Sequence, residues 1–311
     1  MDGRLQVFTG NANPALSRAI CDELDIDVGR AIVSQWKNGE TRIKLEENVR
    51  GSDVFVIQPT CHPVNHHLME LLLMIDAVHR ASAARITAVV PYYGYAKQEK
   101  KTSGREPISA KLVANMITVA GADRLLAVDL HSPAIEGFFD LPVDHLRATP
   151  LLARAFRQTV QDDIVVVSPD AGGVQRAEDF RQRAGGSLAI ISKQHPDADA
   201  TEMVEMVGDV QGKIAVIVDD MISTGGTLVQ GARLLKERGA ARIHVCATHG
   251  IFADDAIDMI TNSPIDEIMV TDTIPLPDHG KGHVRVVSVA PLLAEAIMRT
   301  HKDLSVSALF T

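Results

Sequence analysis

The stretch VIVDDMISTGGTL, residues 216–228, places two acidic residues beside a turn rich in glycine and threonine. Asp219 and Asp220 follow a run of β-branched residues that is typical of a buried strand. The turn after them consists of Ser223, Thr224, Gly225, Gly226 and Thr227. Glycines let the backbone turn with amide N–H groups facing outward, and the helix that follows adds positive charge, so the turn suits a phosphate. The two carboxylates, in contrast to the turn, suit the hydroxyl groups of a ligand, from which they can accept hydrogen bonds. The pattern predicts a ligand such as a ribose that carries a 5-phosphate. A strand-to-helix turn that uses glycine for its geometry alone would show the same residues.

A basic segment is the second candidate for ligand binding. Lys97, Lys100, Lys101 and Arg105 lie in residues 89–116, after a strand-like run and among Gly and Ser residues. Positive charge at the ligand end of a sheet, in a chain of net charge −9, suits a polyphosphate. A solvated charged loop explains the same spacing equally well.

Acidic residues end strand-like runs at three places in the sequence. Asp129 ends AVD, Asp170 ends VVSPD, and Asp219 with Asp220 ends VIVDD. One such acid is ordinary capping or turn chemistry. Ligands of open α/β sheets bind beyond the carboxyl ends of the strands, so we interpret the acids as groups for hydroxyls or a cation.

The elements that must position these residues alternate along the chain. Short Val- and Ile-rich runs such as VFVIQPT and IAVIVDD are separated by amphipathic segments. Continuous apolar runs of this kind favour mostly parallel sheets covered by helices on both faces. Helices are predicted at about 66–82, 106–120, 226–239 and 291–301.

A weak internal repeat predicts two domains. Residues 54–95 and 214–252 share the order strand, helix, strand, and both carry AARI before the second strand, at 83–86 and 240–243. Two related α/β halves, 1–146 and 147–288, are the economical interpretation, and chance similarity between two βαβ units is the alternative.

Composition restricts the partners. The net charge of −9 and the lack of a basic stripe argue against nucleic acid or an anionic membrane as the main partner. Cys21, Cys61 and Cys246 are far apart, as expected of reduced thiols in a cytoplasmic protein. The N-terminus has no secretory pattern, and the most apolar helix is too short to cross a bilayer and is interrupted by Glu70 and Asp76.

The segments DLHSPAIEGFFDLPVDHL (129–146) and SPDAGGVQRA (168–177) closely resemble signatures of ribose-phosphate diphosphokinases, the phosphoribosyl-diphosphate synthetases. Ordered blocks of the same family occur along essentially the whole chain, among them VFVIQPTCHPVN, GREPISAKLVANM and SVSALF. Residues 219–227 resemble the phosphoribosyl-diphosphate motif of type I phosphoribosyltransferases.

This resemblance implies a function and a fold. The family transfers the diphosphoryl group of Mg-ATP to the anomeric hydroxyl of ribose 5-phosphate, giving phosphoribosyl diphosphate and AMP. It implies two type I phosphoribosyltransferase-like domains, with segment 289–311 packing back on the first. It also implies Mg²⁺, hexamers built from dimers, and regulation by phosphate or ADP.

The resemblance also assigns residues, by position in this chain. ATP would be bound by Asn38, Gly39, Glu40, Lys97 and Gln98, with Asn38 and Glu40 reaching the adenine from a neighbouring subunit. Ribose 5-phosphate would be bound by His195, Asp219, Asp220, Ser223, Thr224, Gly225, Gly226 and Thr227. Lys193 would be the catalytic lysine, and His131 and Asp170 the Mg²⁺-associated residues. Arg50, Arg80, Ser82, Ser305 and Ser307 lie in segments that match the regulatory site.

The chain departs from the family pattern at several of these positions. The usual Phe-Ser-Asp-Gly-Glu is residues 36–40, Trp-Lys-Asn-Gly-Glu, which exchanges a carboxylate for the amide of Asn38. Lys97 replaces an arginine and keeps the charge without the bidentate fork. Gln194 and His195 replace a pair of arginines, which lowers the positive charge next to Lys193.

Two other functions fit part of the pattern. A non-catalytic homologue that regulates an active synthetase would explain the departures, although Lys193 and the metal positions are retained. A phosphoribosyltransferase that consumes phosphoribosyl diphosphate would explain residues 219–227 equally well, but not the ATP segments at 36–40 and 95–101.

Overall fold

The computed structural model describes residues 3–194 and 203–309. The chain forms two compact units. The first comprises Met1–Arg147, Thr273–Pro275 and Ser288–Thr311, and the second comprises Ala148–Asp272 and Leu276–Val287. The chain therefore begins and ends in the first unit, and most of the second unit is inserted between these parts.

The first unit is a parallel sheet with helices and a separate hairpin. Its elements up to residue 147 are β1 (Leu5–Thr9), α1 (Pro14–Leu24), β2 (Ala31–Gln35), β3 (Thr41–Leu45), β4 (Asp53–Ile57), α2 (Val64–Arg80), β5 (Arg85–Val90), α3 (Ser109–Ala120), β6 (Arg124–Val128) and β7 (Val143–Leu146). The five-stranded sheet has the order β1-β4-β5-β6-β7, and β2 and β3 form an antiparallel pair. All five residues of β4 are buried, as expected for a central strand covered on both faces.

The second unit contains a larger sheet. Its elements are α4 (Thr149–Thr159), β8 (Ile164–Ser168), α5 (Val174–Ala184), β9 (Ser187–Gln194), β10 (Met203–Val207), β11 (Ile214–Ile222), α6 (Gly226–Glu237), β12 (Arg242–Gly250), α7 (Ala256–Thr261), β13 (Glu267–Thr271) and β14 (Val284–Val287). The seven-stranded sheet has the order β10-β9-β8-β11-β12-β13-β14. Its pairs are parallel except for β9 and β10. The chain then returns to the first unit, where α8 (Ala290–His301) packs against α1.

The predicted α/β fold, with mostly parallel sheets flanked by helices, is confirmed. The four predicted helices correspond to α2, α3, α6 and α8, with ends that differ by a few residues. The repeated sequence segments form β4-α2-β5 and β11-α6-β12, and the arginine of AARI begins the second strand in both, as Arg85 and Arg242. Among the described residues, no helix is long and apolar enough to cross a membrane.

Candidate active site

The predicted phosphate turn connects β11 to α6 in the second unit. Gly225 is the N-cap of α6 with φ 78°, and a Cβ there would lie 3.0 Å from the Ile260 side chain. A Cβ on Gly226 would meet no atom within 4 Å. Thr224 and Thr227 are exposed and Ser223 is half-buried. The turn is therefore an accessible stretch of backbone at the positive end of a twelve-residue helix, an arrangement that binds anions.

The two acids lie near the carboxyl end of β11, which continues past them to Ile222. Asp220 is buried, while Asp219 is partly exposed and its Oδ1 accepts a hydrogen bond from the Asp220 amide at 2.8 Å. Burial, and then the neighbouring Asp220 carboxylate, raise the pKa of Asp219 to about 7. Asp219 is therefore only partly ionised at neutral pH.

Arg176 is a further candidate site residue, which the sequence reasoning missed. Its NH1 lies 3.3 Å from Oδ1 of Asp219 and 3.4 Å from Oδ1 of Asp220. The guanidinium charge lowers the pKa of Asp219 and so opposes the larger effects of burial and of Asp220. One signal was available in the sequence: Arg176 is the third residue of α5, and a cation near a helix N-terminus is unfavourable unless it has a partner.

Asp170 lies at the same edge of the sheet as the acidic pair. It follows β8, which is a parallel neighbour of β11. Its carboxylate is exposed, and Oδ1 accepts a hydrogen bond from the Gly173 amide at 2.8 Å. The second unit thus brings together Asp170, Arg176, Asp219, Asp220 and the turn at 223–227.

The second predicted metal-associated residue, His131, belongs to the first unit. It follows β6 in a turn that contains Asp129, which is buried and has φ 40°.

His145 holds the backbone of this turn. The Leu130 amide donates to Nε2 of His145 at 2.7 Å, and Nδ1 of the same ring lies 2.6 Å from Oε1 of Glu136. A ring that accepts at Nε2 must carry its proton on Nδ1. Burial and then the Arg147 charge lower the pKa of His145, which favours this neutral form.

The segment that contains Lys97 and Gln98 approaches the His131 turn. Both residues are exposed, and Oε1 of Gln98 accepts from the Ser109 hydroxyl at the start of α3 at 2.5 Å. The pKa of the neighbouring Glu99 lies below its usual range because Lys100 and Ser132 hydrogen-bond its carboxylate and His131 lies near it. The first unit therefore places two predicted ligand segments side by side.

Asn38, Gly39 and Glu40 form the exposed tip of the β2–β3 hairpin. Oδ1 of Asn38 accepts from the Glu40 amide at 3.2 Å, and Gly39 has φ 89°. Trp36 is 52% exposed, and the guanidinium carbon of Arg42 lies 4.6 Å from the centre of its ring. The tip thus presents an amide, a carboxylate and an aromatic face to solvent.

Two predictions fall at the edge of the described chain. Lys193 belongs to β9, where its backbone pairs with Val204, but its side chain lies outside the described part. His195 also lies outside the described residues.

The predicted regulatory residues fall into two groups within the first unit. The Gly51 amide, next to Arg50, donates to the Ser82 carbonyl at 2.9 Å, and Arg80 nearby in sequence pairs with Asp76. Ser305 and Ser307 have their hydroxyls 2.7 Å apart and line a cavity of about 490 Å³. The described lining of that cavity also includes Glu136, Asp144, His145 and Arg147.

Comparison with known sequences and structures identifies the family. A profile described as the N-terminal domain of ribose phosphate pyrophosphokinase matches residues 5–121, and one described as a phosphoribosyl synthetase-associated domain matches residues 189–311. A ribose-phosphate pyrophosphokinase of Caldanaerobacter subterraneus subsp. tengcongensis is 52% identical over 309 residues, which cover 99% of this chain and 98% of the relative. One of Chromobacterium violaceum is 53% identical over 309 residues, 98% of this chain and 94% of the relative.

A solved structure agrees with these sequence matches. The crystal structure of phosphoribosylpyrophosphate synthetase from Mycobacterium smegmatis has a TM-score of 0.92 and 43% sequence identity. The match covers 96% of this chain and 99% of that one. The chain belongs to the ribose-phosphate pyrophosphokinase family.

Proposed function

We propose that this protein transfers the diphosphoryl group of Mg-ATP to the anomeric hydroxyl of ribose 5-phosphate, forming phosphoribosyl diphosphate and AMP for nucleotide biosynthesis. The arrangement in the second unit carries the proposal: an accessible turn at the start of α6 lies beside two carboxylates on β11. The relatives that match the chain over 98–99% of its length are named ribose-phosphate pyrophosphokinases, which favours the enzyme over a non-catalytic homologue.

Ribose 5-phosphate would be bound by the second unit. The turn at 223–227 offers backbone amides and hydroxyls to the 5-phosphate, and Asp219 and Asp220 would accept hydrogen bonds from the ribose hydroxyls. Arg176, at 3.3 and 3.4 Å, would favour the charged form of these carboxylates in the absence of the sugar. His195 would add donor capacity near the phosphate.

ATP would be bound by exposed segments of the first unit. Asn38, Gly39 and Glu40 would contact the adenine from a neighbouring subunit, in a homo-hexamer built from dimers. Lys97 would place a positive charge on the polyphosphate, and Gln98 is already held by Ser109. The two units then correspond to two phosphoribosyltransferase-like domains, with Ser288–Thr311 belonging to the first.

The side chains fit a Mg²⁺ ion that arrives with the nucleotide. Within the described ranges, His, Cys, Asp and Glu side chains form no group of three or more that could hold a metal by itself. Mg²⁺ is usually held by one or two protein carboxylates together with substrate phosphates and water. The exposed carboxylate of Asp170 suits this role, and His131 would support it. The ion would neutralise part of the charge on the phosphates.

The chemical step follows from this placement. The anomeric oxygen bonds to the β-phosphorus of ATP, and the bond from that phosphorus to the α,β-bridging oxygen breaks, so that AMP leaves with the electron pair. The hydroxyl proton passes to solvent. Lys193 would neutralise charge on the transferring group, since positioning and electrostatics supply most of the catalysis in such transfers.

Location and regulation complete the proposal. The three cysteines are free and buried, as expected for a cytoplasmic protein. Phosphate or ADP would regulate the enzyme through the segments that contain Arg50, Arg80, Ser82, Ser305 and Ser307. The cavity lined by Ser305 and Ser307 offers hydroxyls and the Arg147 guanidinium to such an anion.

The test is AMP formation by the purified protein given ATP, Mg²⁺ and ribose 5-phosphate, with and without added phosphate. We expect AMP only when the sugar phosphate is present, and none from a Lys193→Ala variant. Folded protein that binds ATP but forms no AMP under either condition would favour the non-catalytic homologue. Protein that binds ribose 5-phosphate but not ATP would favour a phosphoribosyltransferase.

A further inference from the structure

Glu70 is a fully buried acid in the middle of α2. Its Oε1 accepts from Nδ2 of Asn11 at 2.7 Å and lies 3.1 Å from Nε2 of His66. Its Oε2 accepts from the Asn11 amide at 3.1 Å and from Nε2 of Gln58 at 2.7 Å. Burying a carboxylate is costly unless hydrogen bonds satisfy both oxygens, and an apolar side chain would avoid that cost. The neighbours of Glu70 are therefore informative about its role.

Two of those neighbours connect Glu70 to β2. Nδ2 of Asn11 also donates to the Val33 carbonyl at 3.2 Å. Nδ1 of His66 lies 3.0 Å from Nε2 of Gln35. Val33 and Gln35 are alternate residues of β2, and Gln35 is its last residue. The buried carboxylate is thus linked to the hairpin at two points, one of them directly before the tip.

The hairpin needs such a link because of where its contacts lie. The apolar side chains Val33, Ile43 and Leu45 pack against the core of the first unit. Residues 35–40, in contrast, are exposed. Apolar packing fixes the base of a hairpin without setting the direction of an exposed tip, whereas hydrogen bonds to a rigid helix are directional.

We propose that Glu70 is a positioning residue, which acts through His66–Gln35 and Asn11 to fix the direction of the β2–β3 hairpin and so of Asn38 and Glu40. The role of the tip in binding the adenine rests on the proposed function. The fixed direction of the hairpin does not, so the two parts can be tested separately.

The sequence offers a reporter in the right place. Trp36 is the only tryptophan of the chain, and it follows Gln35 directly. In time-resolved fluorescence anisotropy of the intact protein, the decay that is faster than overall tumbling therefore reports the local motion of the hairpin tip. Gln35→Ala and His66→Ala remove the link from either side, and Lys44→Ala, at an exposed position of β3, is the matched control.

We expect the amplitude of nanosecond motion at Trp36 to rise about twofold or more in both link variants and to stay unchanged in the control. The double variant should move no more than either single variant, because both remove the same link. Glu70→Gln should give the largest change. It replaces one acceptor oxygen by an NH2 group, which would then face the N–H donors of the neighbouring side chains. Thermal melts show that each variant is folded.

Steady-state kinetics test whether the direction of the hairpin affects ATP binding. In the link variants the KM for ATP should rise about threefold to tenfold, the range expected from one lost hydrogen bond, while kcat and the KM for ribose 5-phosphate stay within about twofold. Unchanged anisotropy in all folded link variants would overturn the proposal. A mobile tip with an unchanged KM for ATP would overturn its adenine part. An inactive wild-type protein with a mobile tip in the variants would refute the proposed function and leave the positioning role supported.

Discussion

At the scale of single residues, the candidate site balances charges that oppose one another. Asp219 and Asp220 are adjacent and largely buried, and Arg176 approaches both carboxylates. Desolvation disfavours the charged carboxylates, while the guanidinium favours them. Replacing one of the acids should therefore favour folding while it weakens ligand binding.

Asp219→Asn should stabilise the fold above neutral pH and abolish binding of ribose 5-phosphate. The folded pKa of about 7 lies above the unfolded value of 3.8, so the protonated form stabilises the wild type at low pH. That contribution is complete below about pH 3.8 and is lost as the pH rises through 7. Asparagine does not ionise, so the variant avoids this loss. We expect its free energy of unfolding at pH 8 to exceed that of the wild type by roughly 1–3 kcal/mol. This range allows for the weaker interaction of Arg176 with an uncharged side chain.

Thermal melts at pH 5.5 and 8, with calorimetry for the sugar phosphate, measure both effects. The exposed Asp162→Asn is the control. A variant that is less stable than the wild type at pH 8, or that still binds the sugar phosphate, would contradict this account.

Arg176→Gln should raise the KM for ribose 5-phosphate about tenfold or more at pH 7, because Asp219 then holds a proton more tightly and loses charge. Raising the pH to about 9 should recover much of this loss, since Asp219 then ionises. Arg176→Lys should restore part of the affinity at pH 7. A KM deficit that is the same at both pH values would mean that Arg176 acts by shape or by direct contact with the phosphate.

At the scale of elements, the turn between β11 and α6 depends on two glycines for different reasons. Gly225 has a left-handed φ of 78°, and a Cβ would press on Ile260. Gly226 lies outside the left-handed region, with open space around it. Neither backbone conformation nor packing therefore requires a glycine at position 226. Access by a ligand is the remaining reason for a glycine there.

The matched pair Gly225→Ala and Gly226→Ala separates these reasons. Gly225→Ala should destabilise the protein by about 1–2 kcal/mol. Gly226→Ala should stabilise it by about 0.4–1 kcal/mol and yet weaken binding of ribose 5-phosphate, because its Cβ occupies the space that the phosphate needs. Chemical unfolding and calorimetry measure the two quantities. Normal sugar phosphate affinity in Gly226→Ala would place the phosphate elsewhere.

Much of the arrangement of strands and helices could be predicted from the sequence, and the predictions that failed did so for physical reasons. Alternation of apolar runs predicts the parallel sheets, because both faces of such strands are buried. The same pattern cannot tell where β11 stops: it predicts that the strand ends at Asp219 and Asp220, whereas β11 continues to Ile222. Arg176 and Glu70 were missed as site residues because their partners lie on other elements. In the sequence alone, Glu70 is only a charge that interrupts an apolar helix.

At the scale of the whole molecule, the C-terminal segment completes the first unit. The buried carboxylate of Asp53 accepts from Nε and NH2 of Arg85, at 2.8 and 2.6 Å, and lies 2.8 Å from Nδ1 of His301 on α8. Arg85 also donates to the Thr300 carbonyl and to Asp303. One arginine thus joins β4, β5 and the end of α8.

Arg85→Met should destabilise the first unit by about 3–5 kcal/mol, because it leaves the buried charge of Asp53 with His301 as its remaining partner in this group. Arg80→Met removes an ion pair at the exposed end of α2 and should leave the unfolding midpoint unchanged. Urea unfolding followed by Trp36 emission and circular dichroism measures both variants. Equal midpoints for the two variants would show that the buried group contributes little.

The interleaved chain has a consequence for synthesis. Proteins generally fold from the N-terminus as they leave the ribosome, one unit after another. Here the first unit to emerge lacks α8, and Asp53 and Arg85 must wait for His301 and Asp303 until the second unit has been translated. The second unit can finish while the first is still incomplete. The N-terminal half of the protein is therefore the last to mature, and a chain that is cut short anywhere before α8 leaves it without its closing helix.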